Sequence, residues 1–191
     1  AEDARFYHHS GVDYKGIARA ALANLRDARS QGGSTITMQV AKNFYLPTEK
    51  TYTRKIYELL LTWKIEKLLS KEQILELYMN QIFLGQRAYG FAAASEIYFG
   101  KPVNELSVAE AAMLAGLPVA PSAYNPIVNP KRATVRQQFI LGRMLEEGFI
   151  TQPQYDAARK QTLRYKVQSV VPVHAEYAVE AARQLVFAHY G

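Results

Sequence analysis

The chain has 191 residues, with 23 Lys and Arg against 17 Asp and Glu for a net charge of +6; that length suits one domain and that balance suits an anionic partner, whether nucleic acid, anionic lipid or a phosphorylated substrate. With 49% hydrophobic and 21% charged residues it has the apolar side chains for a sizeable core, which excludes a disordered chain. The absence of cysteine excludes disulfides, thiol catalysis and cysteine-ligated zinc while leaving the compartment open.

Helical periodicity dominates the chain. Tyr14 to Arg29 repeats Ile17, Ala20, Ala21, Leu25 and Ala28 near helical spacing and closes at Gly32-Gly33. Thr35 to Phe44 reads as a second helix, entered through Gly33-Ser34 and followed by Pro47. Tyr52 to Leu69 is the clearest amphipathic helix, and its periodicity predicts a buried stripe of Ile56, Leu59, Leu60, Trp63 and Leu68. Ser70-Lys71-Glu72-Gln73 has the form of a capping box, so a helix through Asn80 follows; Ser107-Val108-Ala109-Glu110 repeats the device for a helix that stops before Pro118. The uncharged stretch from Ala111 to Pro130 is long enough to span a membrane, but Pro118, Pro121, Pro126 and Pro130 rule that out and make Pro118 to Pro130 a loop. Arg132 to Glu147 is helical up to Gly148, and Thr151-Gln152-Pro153-Gln154 opens a short helix. Leu163 to Val173 reads as extended and His174 to Tyr190 as a weaker helix. With no internal repeat or long linker, the expectation is one mostly α domain. No signal peptide pattern precedes the charged aromatic run after Ala1, so the chain reads as excised from a longer one.

Four constellations carry chemistry. In Glu2-Asp3-Ala4-Arg5-Phe6-Tyr7-His8-His9, a carboxylate beside aromatic rings gains proton affinity by desolvation and suits a general base, although the run also reads as a solvated helix end. Neighbouring histidines point to different faces of a helix, which makes His8-His9 a poor metal pair. In Gly32-Gly33-Ser34-Thr35-Ile36-Thr37-Met38-Gln39, followed by Lys42-Asn43, glycines run into a hydroxyl-rich helix start and offer donors to an anion or a sugar; the alternative is a plain helix cap. The run lacks the Lys of a P-loop and the spacing of a dinucleotide fingerprint. Arg54, Lys55 and Glu58 share one helix face: either an exposed ion pair or two cations placed for a diphosphate, with Glu58 orienting it or holding a metal. Glu76 and Asn80, one turn apart, read as structural residues that hydrogen-bond neighbouring elements.

In order and spacing these runs match five motifs. Glu2-Asp3, Phe6, His9 and Gly11 form the first; Gly33-Ser34-Thr35-Ile36-Thr37 with Gln39 the second; Arg54-Lys55 with Glu58 the third. Lys71, Ile74-Leu75-Glu76, Tyr78 and Asn80 form the fourth, and Arg132, Arg136, Leu141 and Arg143-Met144 the fifth. Together they resemble the peptidoglycan glycosyltransferases, the family 51 transglycosylase domains of class A bifunctional penicillin-binding proteins, and look closest to the 1A branch. The likeness runs from Glu2 to about Tyr155 and includes Tyr89-Gly90, Tyr98-Phe99-Gly100-Lys101 and Asn125-Pro126.

The resemblance implies a mostly α, lysozyme-like, two-lobed fold with a membrane-dipping smaller lobe. It implies a glycosyltransferase domain over residues 1–160, truncated at its N-terminus, and an extension over 161–191 toward a transpeptidase region absent from this chain. The implied reaction joins lipid II to a growing lipid-linked glycan at the periplasmic face of the bacterial inner membrane, with the membrane anchor lying outside this chain. Glu2 matches the base that takes the acceptor's 4-hydroxyl proton, and Glu58 the second essential glutamate, on the donor side or on a divalent Mg or Mn ion; no organic cofactor is implied. Arg54 and Lys55 match cations near the donor pyrophosphate, and Ser34, Thr35, Gln39, Lys42 and Asn43 match donor-site contacts. Asp3, Phe6 and His9 belong to the same substrate site, as supports of the first glutamate. Implied partners are the anionic membrane surface and other cell-wall synthesis proteins, with no nucleic acid.

The residues agree with a transferase: pyrophosphate leaves as an anion, so cations can take the place of the acid that a glycosidase needs. A glycan hydrolase of lysozyme type and a non-catalytic basic module that binds membrane or nucleic acid are the competing readings. Two positions depart from the family pattern. Met38 stands in place of the first Gln of a Gln-Gln pair, an expected loss of one sugar or phosphate contact, and Gln137 stands in place of a second Arg.

Overall fold

The computed structural model describes residues 2–18, 34–45 and 51–166. Among these the chain is helical, with an antiparallel bridge between Phe83 and Tyr89 and no strand. A 3-10 turn at Phe6–His8 precedes helical residues 14–18. Then come α1 (Ile36–Tyr45), α2 (Tyr52–Leu68), α3 (Lys71–Gln81), α4 (Phe91–Phe99), α5 (Val108–Ala115), α6 (Pro130–Glu146) and α7 (Gln152–Lys160), with a second 3-10 turn at Val103–Glu105. The greater part of the helix expected from Tyr14 to Arg29, the Gly32-Gly33 pair and Pro47 lie outside the described residues. So do residues 167–191, including most of the expected extended stretch and all of the last expected helix.

The capping chemistry sets the helix starts. Ser70, Ser107 and Thr151 each accept from the backbone N–H three residues on, and Gln73, Glu110 and Gln154 accept in return from the cap N–H at 2.9, 2.8 and 2.8 Å. α6 begins at Pro130, two residues before the expected start, because a proline costs no hydrogen bond at the first helical position. α4 has no counterpart in the sequence reading. Its cap is Gly90, at φ +82°, and a Cβ there would lie 2.4 Å from the Asn80 carbonyl oxygen.

Packing corrects the expected stripe on α2. Ile56, Leu60, Trp63 and Leu68 are 59, 53, 46 and 70% exposed, whereas Glu58, Thr62 and Ile65 face the interior. α1 packs against both α2 and α3. Ile36, Val40 and Ala41 of α1 meet Ile65, Ile74 and Tyr78 there, in a core that also holds Phe6, Tyr98 and Leu114. The buried Tyr98 hydroxyl donates to Leu84 O at 2.9 Å, and burial pushes its proton affinity up to about 12. α5, α6 and α7 enclose a second cluster that includes Ala109, Ala112, Ile140 and Leu141.

Candidate active site

The site grows from the way the first residues are fastened to α1. Asp3 turns both carboxylate oxygens to His9 Nε2 at 3.0 Å, and its Oδ2 accepts from Ile36 N, the first N–H of α1, at 3.2 Å. Both side chains are buried, and a carboxylate at a helix N-terminus also meets the positive end of the helix dipole. Gly11, at φ +87°, lets the same segment lie flush on α2: a Cβ there would stand 2.6 Å from Thr62 Cγ2. Arg5 pairs with Asp13 at 2.6 Å, and Asp13 accepts from Gly16 N at 2.9 Å. Phe6 is core, with Lys71 Nζ 4.5 Å from its ring centroid and 2.7 Å from Glu66 Oε1, which also accepts from Thr37 Oγ1. Asp3, Phe6 and His9 are thus buried side chains that fasten the segment carrying Glu2.

Glu2 emerges from this anchor half-buried. Its Oε1 lies 3.4 Å from Arg136 Nη2, and the Gln39 side chain lies close enough to act on its charge. Burial raises the proton affinity of its carboxyl above the usual range, and Arg136 and Gln39 partly offset that rise. The Tyr78 hydroxyl, buried and unpartnered, is pushed well above its usual range by burial first and by the Glu2 charge second.

α1 presents Gln39, Lys42 and Asn43 on one face while burying Met38, Val40 and Ala41 on the other, as the i, i+3, i+4 rule requires. Gln39, Lys42 and Asn43 line a cavity of about 530 Å³ together with Arg54 of α2, whose Nε is buried and unpartnered. Lys55 pairs with Glu58 one turn further along α2, where Glu58 is buried and Lys55 half-exposed. The structure therefore joins Glu2 to the cavity through Gln39 and places the Lys55–Glu58 pair on the helix that carries Arg54.

Three expectations change. Thr35 is no donor-site contact: its hydroxyl donates to Gly11 O at 2.6 Å and accepts from Met38 N at 3.2 Å, which makes it the buried cap of α1, beside an exposed Ser34. Met38 is 2% exposed, so its departure from the family pattern removes no contact in the cleft. Gln137 is structural, its Nε2 donating to Ala109 O at 2.8 Å between α6 and α5. Glu76 and Asn80 stand exposed on α3 rather than bonding neighbouring elements.

Among the described residues no three His, Asp or Glu side chains converge into an all-protein metal cage, and Glu58 holds the Lys55 ammonium; a divalent ion carried with a substrate pyrophosphate would need only one or two carboxylates.

Sequence reasoning passed over Gln81, Phe83, Pro118 and Pro121, which line the cavity with Tyr89. The Phe83 and Tyr89 rings lie 5.1 Å apart across their bridge. Tyr89 stood in a motif, whereas nothing in the local pattern marked Phe83.

The transglycosylase family profile matches residues 1–145. Penicillin-binding protein 1A of Neisseria flavescens is 60% identical over 194 aligned residues, covering all of this chain and 24% of that protein. A putative transglycosylase of Cupriavidus necator is 62% identical over 165 residues, covering 86% of this chain and 71% of the relative. The crystal structure of penicillin-binding protein 1A from Haemophilus influenzae superposes with a TM-score of 0.55 at 36% identity, over 82% of this chain and 20% of that one. This chain thus spans about a quarter of the length of the penicillin-binding proteins it matches, and it belongs to the transglycosylase family.

Proposed function

We propose that this domain is a peptidoglycan glycosyltransferase that extends a lipid-linked glycan with lipid II. The observation that carries the reading is a half-buried carboxyl of raised proton affinity, Glu2, joined through Gln39 to a cavity lined by Lys42 and Arg54. Glu2 takes the proton from the acceptor's 4-hydroxyl as that oxygen attacks C1 of the donor sugar from the face opposite the leaving group. The C1–O bond to pyrophosphate breaks with inversion, its electron pair goes to the phosphate oxygen, and a β-1,4 link forms. Arg54, Lys42 and the Lys55–Glu58 pair stabilise the charge that develops on the leaving group, so no proton donor is needed there.

The exposed apolar stripe of α2 has a role in the same reading. Tyr52, Ile56, Tyr57, Leu60 and Trp63 are all at least 46% exposed, and Lys64 and Lys67 are exposed beside them. A helix with an apolar face and flanking lysines suits the interface of an anionic membrane, where the lipid-linked substrate resides. No described helix is long and apolar enough to cross the bilayer. We place the domain at the periplasmic face of the inner membrane, among other cell-wall synthesis proteins.

Incubation with lipid II tests the reading. New glycan polymer is expected; soluble muropeptides released from preformed glycan, without polymer, would establish a hydrolase instead.

A further inference from the structure

The fifth motif supplies a residue whose role the reaction above leaves open. Arg136 projects from α6 onto Glu2, 134 positions away in sequence, with Nη2 at 3.4 Å from Oε1. Its guanidinium carbon lies 5.7 Å from the Tyr124 ring centroid and 5.0 Å from that of Phe139. The stem passes over Gly116, where a Cβ would come within 2.9 Å of Arg136 Cγ. Its Nε is buried and takes no partner, so aromatic faces and Glu2 account for its placement. A planar, delocalised guanidinium suits contact with two rings and a carboxylate at once better than a compact ammonium does.

We propose that Arg136 is the positioning residue of the Glu2 base, holding its carboxylate toward Gln39 from a seat between Tyr124 and Phe139. The inference rests on the reading of Glu2 as the base. Burial tightens a carboxyl's hold on its proton, and a fixed positive charge offsets this without giving up the desolvated setting. Other groups act on Glu2 from each side: Asp3 on its own segment, with its charge turned to His9, and Gln39 from α1 and Tyr78 from α3, both uncharged at neutral pH. All of these stay the same when Arg136 alone is changed.

Arg136→Met removes the charge and keeps the apolar stem. Carboxyl-carbon NMR, with the Glu2 signal identified by its loss in Glu2→Gln, is expected to show Glu2 titrating at higher pH in Arg136→Met. The acid limb of kcat/KM for lipid II moves the same way, so the loss of kcat/KM is on the order of tenfold greater at pH 6 than at pH 8. Arg136→Lys is expected to keep most of the limb position, because it keeps the charge, and to lose kcat through poorer placement. Should Arg136→Met fail to fold by circular dichroism, Tyr124→Leu with Phe139→Leu frees the guanidinium without deleting it, and the same upward displacement is expected. An unmoved Glu2 titration, or a loss equal at both pH values, would overturn the proposal. Because the NMR titration needs no substrate, a displaced titration in a protein that makes no polymer would overturn the glycosyltransferase reading and leave the coupling standing.

Discussion

Replacing Asp3 by alanine tests the fastening of the site. The substitution removes the only acceptor that His9 Nε2 and Ile36 N have among the described contacts, and both groups are buried. Each orphaned donor costs about 1–3 kcal/mol, so the pair costs about 2–6 kcal/mol, a large share of the roughly 5–15 kcal/mol that holds a domain together. With a urea m-value near ~2–3 kcal/mol per molar, the midpoint falls by about 1–2 M at unchanged m. Asp3→Asn keeps one carbonyl acceptor and is expected to lose roughly half as much. Glu2 is the preceding residue, and a base displaced by about 1 Å loses on the order of a hundredfold in rate, so kcat falls in the fraction that remains folded. Equilibrium urea unfolding followed by circular dichroism, with lipid II turnover on the same samples, reads both effects. A midpoint in Asp3→Ala equal to that of the parent would refute the buried anchor, whatever happened to activity.

Three further outcomes follow from the same contacts. Met38→Gln, although it restores the family residue, buries an amide in the core and is expected to cost about 1–3 kcal/mol in a thermal melt without raising kcat; a gain in activity at unchanged stability would put position 38 in the cleft. Glu58→Gln is expected to lose most polymerisation, and added Mg²⁺ or Mn²⁺ does not restore it; full rescue by metal would give Glu58 a different role. Leu60→Glu with Trp63→Glu changes exposed residues, so stability stays within about 0.5 kcal/mol. Its sedimentation with anionic phospholipid vesicles is expected to fall several-fold, and undiminished binding would remove α2 from the membrane interface.

Local chemistry was legible wherever it is written in a few adjacent residues. The caps at Ser70 and Ser107 placed α3 and α5 to within a residue, because a reciprocal pair of side-chain and backbone bonds needs only four positions. Periodicity found α2 but assigned its apolar side to the core, since an alternating pattern does not say what covers a face. There the protein packs against Glu58, Thr62 and Ile65, and leaves Ile56, Leu60 and Trp63 outside. α4 escaped notice because Phe91-Ala92-Ala93-Ala94-Ser95 has almost no polar face and begins at a glycine rather than at a hydroxyl or carboxylate cap. In the site, Gln39, Lys42, Asn43 and Arg54 line one cavity. Thr35 does not, and a hydroxyl at a helix start reads the same whether it meets a ligand or the helix's own N–H. The Arg136 to Glu2 contact joins residues 134 positions apart, and no local pattern spans that distance.

The proposed chemistry turns on Glu2 as the base of a glycosyl transfer. Polymerisation of lipid II by this domain beside Glu2→Gln, followed across pH, tests it. Polymer is expected from the parent, with an acid limb above the ordinary carboxylate range because burial raises Glu2, and none from the folded variant at any pH. Full polymerisation by Glu2→Gln would contradict it.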